Sequence, residues 1–423
     1  MLDDLYVPKG ETVFRLRPTT VYLTMQAALA LCLTMIFTVA AVYRVQTVGM
    51  NPLQLVLVGT VLEIACFVFE VPTGVVADVF SRRLSIIIGV FLLGAASILE
   101  GSIGLFGSIL LAQVIWGFGY TFTSGATEAW IADEVGEAAV ERVFLRGVQV
   151  SQLGALLGTG SGVALASIQL NLPIIIGGGL IGLIGLFLVV TMPETGFKPA
   201  PREERTTWHV LGATLRDGVR SVRGRPLLIT LLAISAVAGM ASEGFDRLWQ
   251  NHLLVNFSFP SLGNFNPVVW FGIINAGAML ISIVAVELVS RRLKDRPHNA
   301  AVRALFAMYL LLSVSVVLFG AARQFGLALA AFWAATTLRR TSGPLYTAWL
   351  NRNIPPRVRA TVISMSSQSD ALGQIVGGPL IGLLATGVSL RAALIVTGLS
   401  LAPVLLLFGR KGTLSSEDLA LSQ

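Results

Sequence analysis

The side chains with chemical capacity in this chain are acids and bases set inside apolar runs. Glu63 and Glu70 share one run, and Glu128 stands near the end of another. Glu243, Asp246 and Arg247 occupy a third, Arg339 and Arg340 a fourth, Asp370 a fifth. A charge at the middle of a bilayer costs at least ~2.5–3.5 kcal/mol and is rarely left unpaired, so each of these marks a site. The chemistry available to the acids is proton exchange. Burial disfavours the charged form of a carboxyl, and an acid so placed loads and releases a proton as its surroundings change. Glu63 and Glu70, seven residues apart, lie on one face of a helix. Glu70 is the first candidate for a proton carrier, followed by Asp370 and then Glu63. The plainer alternative for each is a protonated acid hydrogen-bonded to a neighbouring helix.

The elements that must position these groups are long apolar helices. Of 423 residues, 54% are hydrophobic and only 13% charged, with a mean hydropathy of +0.78. A soluble chain carries about 25% charged residues. Apolar windows of the ~20 residues that span a bilayer recur from end to end. They fall near 20–42, 53–77, 84–105, 108–131, 145–168, 171–192, 226–249, 267–290, 304–322, 327–350, 361–387 and 392–409. The longest polar stretch, 193–225, is shorter than an ordinary domain. No GxxxxGK[ST] sequence is present, which argues against an ATP-driven pump. Cys32 and Cys66 both sit in apolar runs and make neither a zinc site nor a disulfide framework. His209, His252 and His298 are expected in polar connections, scattered, which argues against a metal centre. Asp3, Asp4, Lys9, Glu11, Arg15 and Arg17 crowd the first eighteen residues, so no signal peptide is expected. The predicted fold class is an all-α integral membrane protein of twelve transmembrane helices.

Lys and Arg are retained on the cytoplasmic side of a membrane. With the N-terminus inside, 24 of the 30 fall in inner segments and three in outer ones (Arg44, Arg323, Arg391). Both termini are therefore predicted to face the cytoplasm. The net charge of +7 follows from this topology and implies no nucleic-acid partner; contact with lipid headgroups is secondary.

The stretch 193–225 divides the helices six and six, and the halves repeat. Asp78-Val-Phe-Ser81-Arg82-Arg83 ends the second helix. Glu287-Leu-Val-Ser290-Arg291-Arg292 ends the eighth, 209 positions later (287 − 78). Gln152-Leu-Gly154 followed by Gly158 is matched by Ala371-Leu-Gly373 followed by Gly377, 219 positions later (373 − 154). The predicted organisation is a bundle over 1–192, a cytoplasmic linker over 193–225 and a second bundle over 226–423. Parallel six-helix halves of this kind are a transporter architecture with a substrate site at mid-depth. Arg340 and Asp370 both fall roughly 14–15 Å from the inner surface at 1.5 Å per residue. They are predicted to pair, with Arg339 on a different face; a purely architectural lock is the alternative. Glu243, Asp246 and Arg247, at the outer end of the seventh helix, suggest an outer gate. Glu128, followed by Trp130, Asp133 and Glu134, reads as a cavity acid or part of an inner gate.

Gly74-Val-Val-Ala-Asp78-Val-Phe-Ser81-Arg82-Arg83 resembles the signature between helices two and three of the major facilitator superfamily. Ser81 replaces the usual Gly, and the second copy has Ile283 where the first has Gly74. The resemblance extends over essentially the whole chain. It implies that Gly74, Asp78, Arg82 and Arg83, with Glu287, Arg291 and Arg292 in the second half, latch the two halves in the outward-facing state. In physical terms Gly74 would allow a neighbouring helix to approach closely. The resemblance also implies that helices 3, 6, 9 and 12 face lipid. Glu100, near the outer end of helix 3, is the exception and is expected to snorkel.

Glu70-Val-Pro-Thr-Gly74 and Gly125-Ala-Thr-Glu128-Ala-Trp130 look like the tetracycline- and macrolide-type efflux permeases of bacteria, drug:proton antiporters of the cytoplasmic membrane. Where those antiporters carry an Arg in helix 4, Gln113 stands here, so their coupling route does not transfer residue by residue. Helix 5 reads Gly154-Ala-Leu-Leu-Gly158-Thr-Gly160-Ser-Gly162 without their Pro. Trp116, Tyr120, Trp333 and Tyr346, with Gln113, are the candidate walls of a substrate cavity. Aromatic walls with a few acids suit amphipathic, often cationic compounds. The expected function is proton-coupled efflux of small amphipathic molecules by a monomer that needs no cofactor and no metal. Uptake, or a lipid-type substrate, is the alternative. A membrane enzyme or sensor is the remaining class, and it finds no acid dyad at matched depth and no output domain.

Overall fold

The computed structural model describes residues 5–6, 15–199, 226–261, 267–293, 298–353 and 356–405. Apart from a two-residue antiparallel ladder, β1 (Leu5–Tyr6) with β2 (Arg15–Leu16), the described elements are helices. They are α1 (Pro18–Gln46), α2 (Pro52–Val79), α3 (Arg82–Ser102), α4 (Phe106–Thr123), α5 (Ala126–Val135), α6 (Glu137–Ala166) and α7 (Leu172–Thr191), then α8 (Pro226–Asn256), α9 (Val269–Leu293), α10 (His298–Ala321), α11 (Phe325–Asn353), α12 (Pro356–Gly387) and α13 (Leu390–Leu399). Each coincides with one of the twelve apolar windows, except that the fourth is built from α4 and α5. Gly125, at φ +72°, makes that break. A left-handed residue ends one helix and lets the next begin without strain only where no Cβ is present. Among the described residues, eight spans are long and apolar enough to cross a membrane by length and composition.

The chain forms two compact units. One holds Met1–Met50, Val61–Thr214 and Ser261–Gly272; the other holds Asn51–Thr60, Leu215–Pro260 and Ile273–Gln423. In the first, α1 packs most extensively on α6, and α3 on both α4 and α7. In the second, α8 packs on α12, and α10 on α11 and α13. The same pairs recur in the same order, so the repeat read from sequence is a repeat of packing. Residues 51–60, the start of α2, belong with the second unit: the Leu53 amide donates to Thr386 Oγ1 at 3.0 Å.

The glycines explain why the repeat is visible. A Cβ at Gly154 or Gly158 of α6 would overlap the backbone carbonyl oxygens of Ala27 or Leu31 on α1. One at Gly373 or Gly377 of α12 would overlap the Ala236 carbonyl or the Met240 side chain on α8. Without hydrocarbon exclusion to drive helices together in lipid, close backbone approach at small residues supplies the contact. The partners Ala27 and Ala236 are themselves 209 positions apart, the offset of the acid-x-x-Ser-Arg-Arg pair.

Candidate functional site

The second unit contains a cavity of about 350 Å³ bounded by α8, α10, α11, α12 and α13. Its polar wall is Ser242, Asp246, Arg339, Ser342, Asp370 and Gln374. Arg339 donates to both carboxylate oxygens of Asp246, Nη1 to Oδ1 at 2.6 Å and Nη2 to Oδ2 at 2.8 Å. Its guanidinium lies 5.7 Å from the centre of the Phe245 ring. Asp370 accepts from Gln374 Nε2 at 2.8 Å, and no ion pair involves it among the described residues. The site therefore holds one neutralised acid–base pair and one acid whose near partner is a neutral amide.

This corrects the expected Arg340–Asp370 pairing. Depth along a helix fixes height in the membrane, while azimuth turns by about 100° per residue. Height alone does not separate Arg339 from Arg340. Arg339 faces the cavity, and Arg340 is exposed elsewhere. The three charges closing helix seven also divide. Asp246 belongs to the cavity. Glu243, 2% exposed, accepts from Arg247 Nε at 2.9 Å one turn on. A Cβ on Gly59 would overlap that pair, so the first turns of α2 sit directly against it.

In the first unit the residues between helices two and three form a tight cluster. Ser81 caps α3, its Oγ accepting from the Leu84 amide at 2.9 Å and donating to Glu194 Oε2 at 2.6 Å. The Arg83 amide donates to Glu194 Oε1 at 2.9 Å. Arg82 pairs with Asp133 and donates to the Ala129 carbonyl at 2.9 Å. Glu134 accepts from the amides of Thr195 and Gly196, and Trp130 Nε1 donates to the Pro193 carbonyl at 2.8 Å. The chain leaving α7 is thus tied to α3 and α5 through Glu194, Glu134 and Trp130. Glu194 was not singled out by sequence, because an acid in a polar connection has no periodicity to mark it. Among the described residues nothing lies within 4 Å of where a Cβ on Gly74 would be. Asp78 is half-buried with no hydrogen bond or ion pair among the described residues. In the second half Glu287 pairs with Arg291 one turn along the same helix. Both side chains are mostly exposed, and Arg292 is exposed too.

Two further corrections concern buried groups. Glu100 does not snorkel. It is 5% exposed, with Arg44 Nε donating to Oε1 at 2.8 Å and Gln113 Nε2 to Oε2 at 2.9 Å. Arg44, counted above as an outer-loop charge, is inside α1, and Gln113 is buried in this network. His252 lies inside α8, fully buried, and not in a connection. Its Nε2 donates to the Phe319 carbonyl at 3.1 Å, and Nδ1 accepts from Asn256 Nδ2 at 3.1 Å. The amide orientation is set by Arg391 Nε, which donates to Asn256 Oδ1 at 3.2 Å. Both ring nitrogens are satisfied with the imidazole neutral.

Of the other candidates, Glu70 and Glu128 are exposed and Glu63 is half-buried. Trp333 Nε1 donates to the Ile274 carbonyl at 3.0 Å, with its ring against Gly277, so it joins α11 to α9. Tyr346 places its hydroxyl beside Ser235 and Ser366, whose own hydroxyls are 2.5 Å apart. Trp116 and Tyr120 stack, ring centres 5.5 Å apart and planes 11° from parallel.

An all-helical, duplicated membrane fold with charged groups inside one bundle defines a carrier of the secondary-transporter class. The chain belongs to the Major Facilitator Superfamily, whose profile it matches over residues 23–367. It is 25% identical over 364 residues to the uncharacterized MFS-type transporter YxaM of Bacillus subtilis (strain 168), covering 84% of this chain and 86% of that one. Its fold is similar to the crystal structure of the nucleoside transporter NupG, with a TM-score of 0.76 at 14% identity, covering 94% and 100% of the two chains. A POT family transporter in complex with 5-aminolevulinic acid gives 0.72 at 14% identity, covering 96% and 98%. The protein is a multi-pass membrane transporter and not an enzyme.

Proposed function

We propose that this transporter exports small amphipathic molecules across the cytoplasmic membrane of a bacterium in exchange for protons. Asp370 carries the coupling proton. The observation that carries this reading is the cavity in the second unit. Asp246 neutralises Arg339 bidentately, and among the described residues Asp370 is hydrogen-bonded to the amide of Gln374. A carboxyl in that position can hold a proton or, when ionised, a cation. Proton and cationic substrate then compete for one carboxylate, which couples them. The carrier alternates between two states, and a ligand shifts that equilibrium only by its difference in affinity for them. The Arg82–Asp133 pair and the Glu194 strap supply contacts that can differ between such states.

Uptake by symport is the second reading. It is favoured by the hydroxyls and amide of Ser242, Ser342 and Gln374 in the cavity, and by the likeness in fold to a nucleoside transporter and a POT family transporter. Purified protein in liposomes, loaded with a pH-sensitive dye and given a pH gradient, separates the two. Tetracycline, a macrolide and a lipophilic cation are tested in turn. Export predicts proton movement opposite to the compound. Proton movement in the same direction selects symport, and compound movement indifferent to the gradient overturns proton coupling.

A further inference from the structure

The first unit carries a ring platform that the cavity of the second does not use. Trp116 and Tyr120 of α4 lie parallel, and the Phe37 ring of α1 stands edge-on to Trp116 at 5.9 Å and 64°. Phe37 is 52% and Tyr120 45% exposed, although both are in the apolar middle of the chain's spans.

Which medium they meet follows from the helix faces. On α4, Gly117 packs against Ala65 of α2 and Gly119 against Gly89 and Leu92 of α3. Trp116 and Tyr120 project between those two contacts. Leu111, 55% exposed, is nine residues before Tyr120, which is half a turn out of phase at about 100° per residue. The two exposed faces of α4 are therefore opposite. Leu111 faces lipid. The Tyr120 face has Glu63 and Glu128 near enough to act electrostatically on its hydroxyl. A face bearing carboxylates does not meet hydrocarbon at tolerable cost, so it borders an aqueous cavity. On α1, Ala27 and Leu31 are turned to α6 and Ile36 to Gly177 of α7, which leaves Phe37 on the same open side.

The charge on this side is negative. The spans α1, α2 and α4 with α5 carry Glu63, Glu70, Asp78, Glu128, Asp133 and Glu134, of which Asp133 pairs with Arg82 and Glu134 holds the chain after α7; their one arginine, Arg44, is held by Glu100. A parallel ring pair gives its largest contact to another flat ring, and ring faces together with carboxylates attract a positive one.

We infer that the Phe37–Trp116–Tyr120 face is a binding subsite for flat aromatic monocations, and that it discriminates against cations of the same charge whose rings do not lie in one plane. This inference rests on the transport reading above for its purpose, but binding is measured without any gradient and so is independent of proton coupling.

The experiment uses the full-length protein in detergent micelles, with ethidium as the flat cation and tetraphenylphosphonium as the non-planar one. Ethidium binding is followed by fluorescence anisotropy. The expected result is saturable ethidium binding that tetraphenylphosphonium displaces at least about tenfold less well. Trp116→Ala weakens ethidium about tenfold, the loss of one stacked, partly desolvated cation–ring contact. Trp116→Phe, which keeps a ring, stays within about threefold of the wild type. Leu111→Ala, on the opposite face, leaves binding unchanged and controls for loosening of α4. The inference is overturned if ethidium does not bind, if tetraphenylphosphonium competes equally, or if Trp116→Ala binds as the wild type does. It is also overturned if Trp116→Phe loses as much as Trp116→Ala. Any of these alongside intact substrate-driven proton flux removes the subsite and leaves the transport reading standing. Normal ethidium discrimination without proton flux does the reverse.

Discussion

Arg339 is bound through both its terminal nitrogens to Asp246, at 2.6 and 2.8 Å, while Asp370 in the same cavity is bound to Gln374. The cation of this site is paired with one acid, and the second acid, to which the proposed function gives the coupling proton, accepts from an amide.

If that division is right, Asp246→Asn and Arg339→Gln should each impair substrate-driven proton flux at least about tenfold. The double variant should be more stable than the sum of the singles predicts. The pair is 31% and 49% exposed, so the coupling energy should lie at the low end, about 0.5–1 kcal/mol. A double-mutant cycle of thermal unfolding in detergent checks it; strict additivity would mean the pair is incidental.

The Arg44–Glu100 pair is a different case, because both side chains are under 10% exposed. Arg44→Met strands a buried carboxylate and should cost about 3 kcal/mol, whereas Arg44→Met with Glu100→Leu should recover most of it. Thermal denaturation of the three proteins decides. Transport by the double variant should remain near wild type, since the network touches neither cavity nor latch.

Gly158 and Gly160 make a matched test of helix approach. A Cβ at Gly158 meets the Leu31 carbonyl, which is backbone and moves little, while among the described residues nothing lies within 4 Å of one at Gly160. Gly158→Ala should destabilise by about 2 kcal/mol or more. Gly160→Ala should be neutral or stabilising by about 0.5 kcal/mol through helix propensity. Equal effects at the two positions would contradict the α1–α6 contact.

Where α3 begins, Glu194→Gln weakens the acceptor for both Ser81 and the Arg83 amide, and Asp133→Asn removes the charge facing Arg82. Each should slow turnover about tenfold with little change in substrate affinity, the signature of contacts that act on the conformational step. Initial transport rates against substrate concentration separate the two parameters. A change in affinity alone would place these residues at the substrate instead.

Much of this was legible in the chain. Apolar windows fixed where the helices lie, because hydrocarbon thickness imposes a length. The glycines at 154, 158, 373 and 377 exposed the duplication, because close backbone approach admits almost no other residue. What remained hidden was azimuth and long-range partnership. Arg339 and Arg340 are adjacent in sequence and at one depth, and only the packed bundle turns one of them to Asp246. His252 lies beyond the apolar window that marked helix seven, so it reads as a loop residue until α8 is seen to continue to Asn256. Gln113 stands where an antiporter arginine would, yet its partner Glu100 comes from a helix that the family resemblance assigned to lipid.

The most direct test of the central claim is substrate-driven proton flux in liposomes by Asp370→Asn beside the wild type. Substrate binding is measured separately, to show that the variant is folded. The account predicts that the wild type moves protons against its substrate, and that the variant binds substrate but moves no protons with it. Proton flux at the wild-type rate in Asp370→Asn would contradict it and shift the coupling site to another acid, with Glu70 and Glu63 next in line.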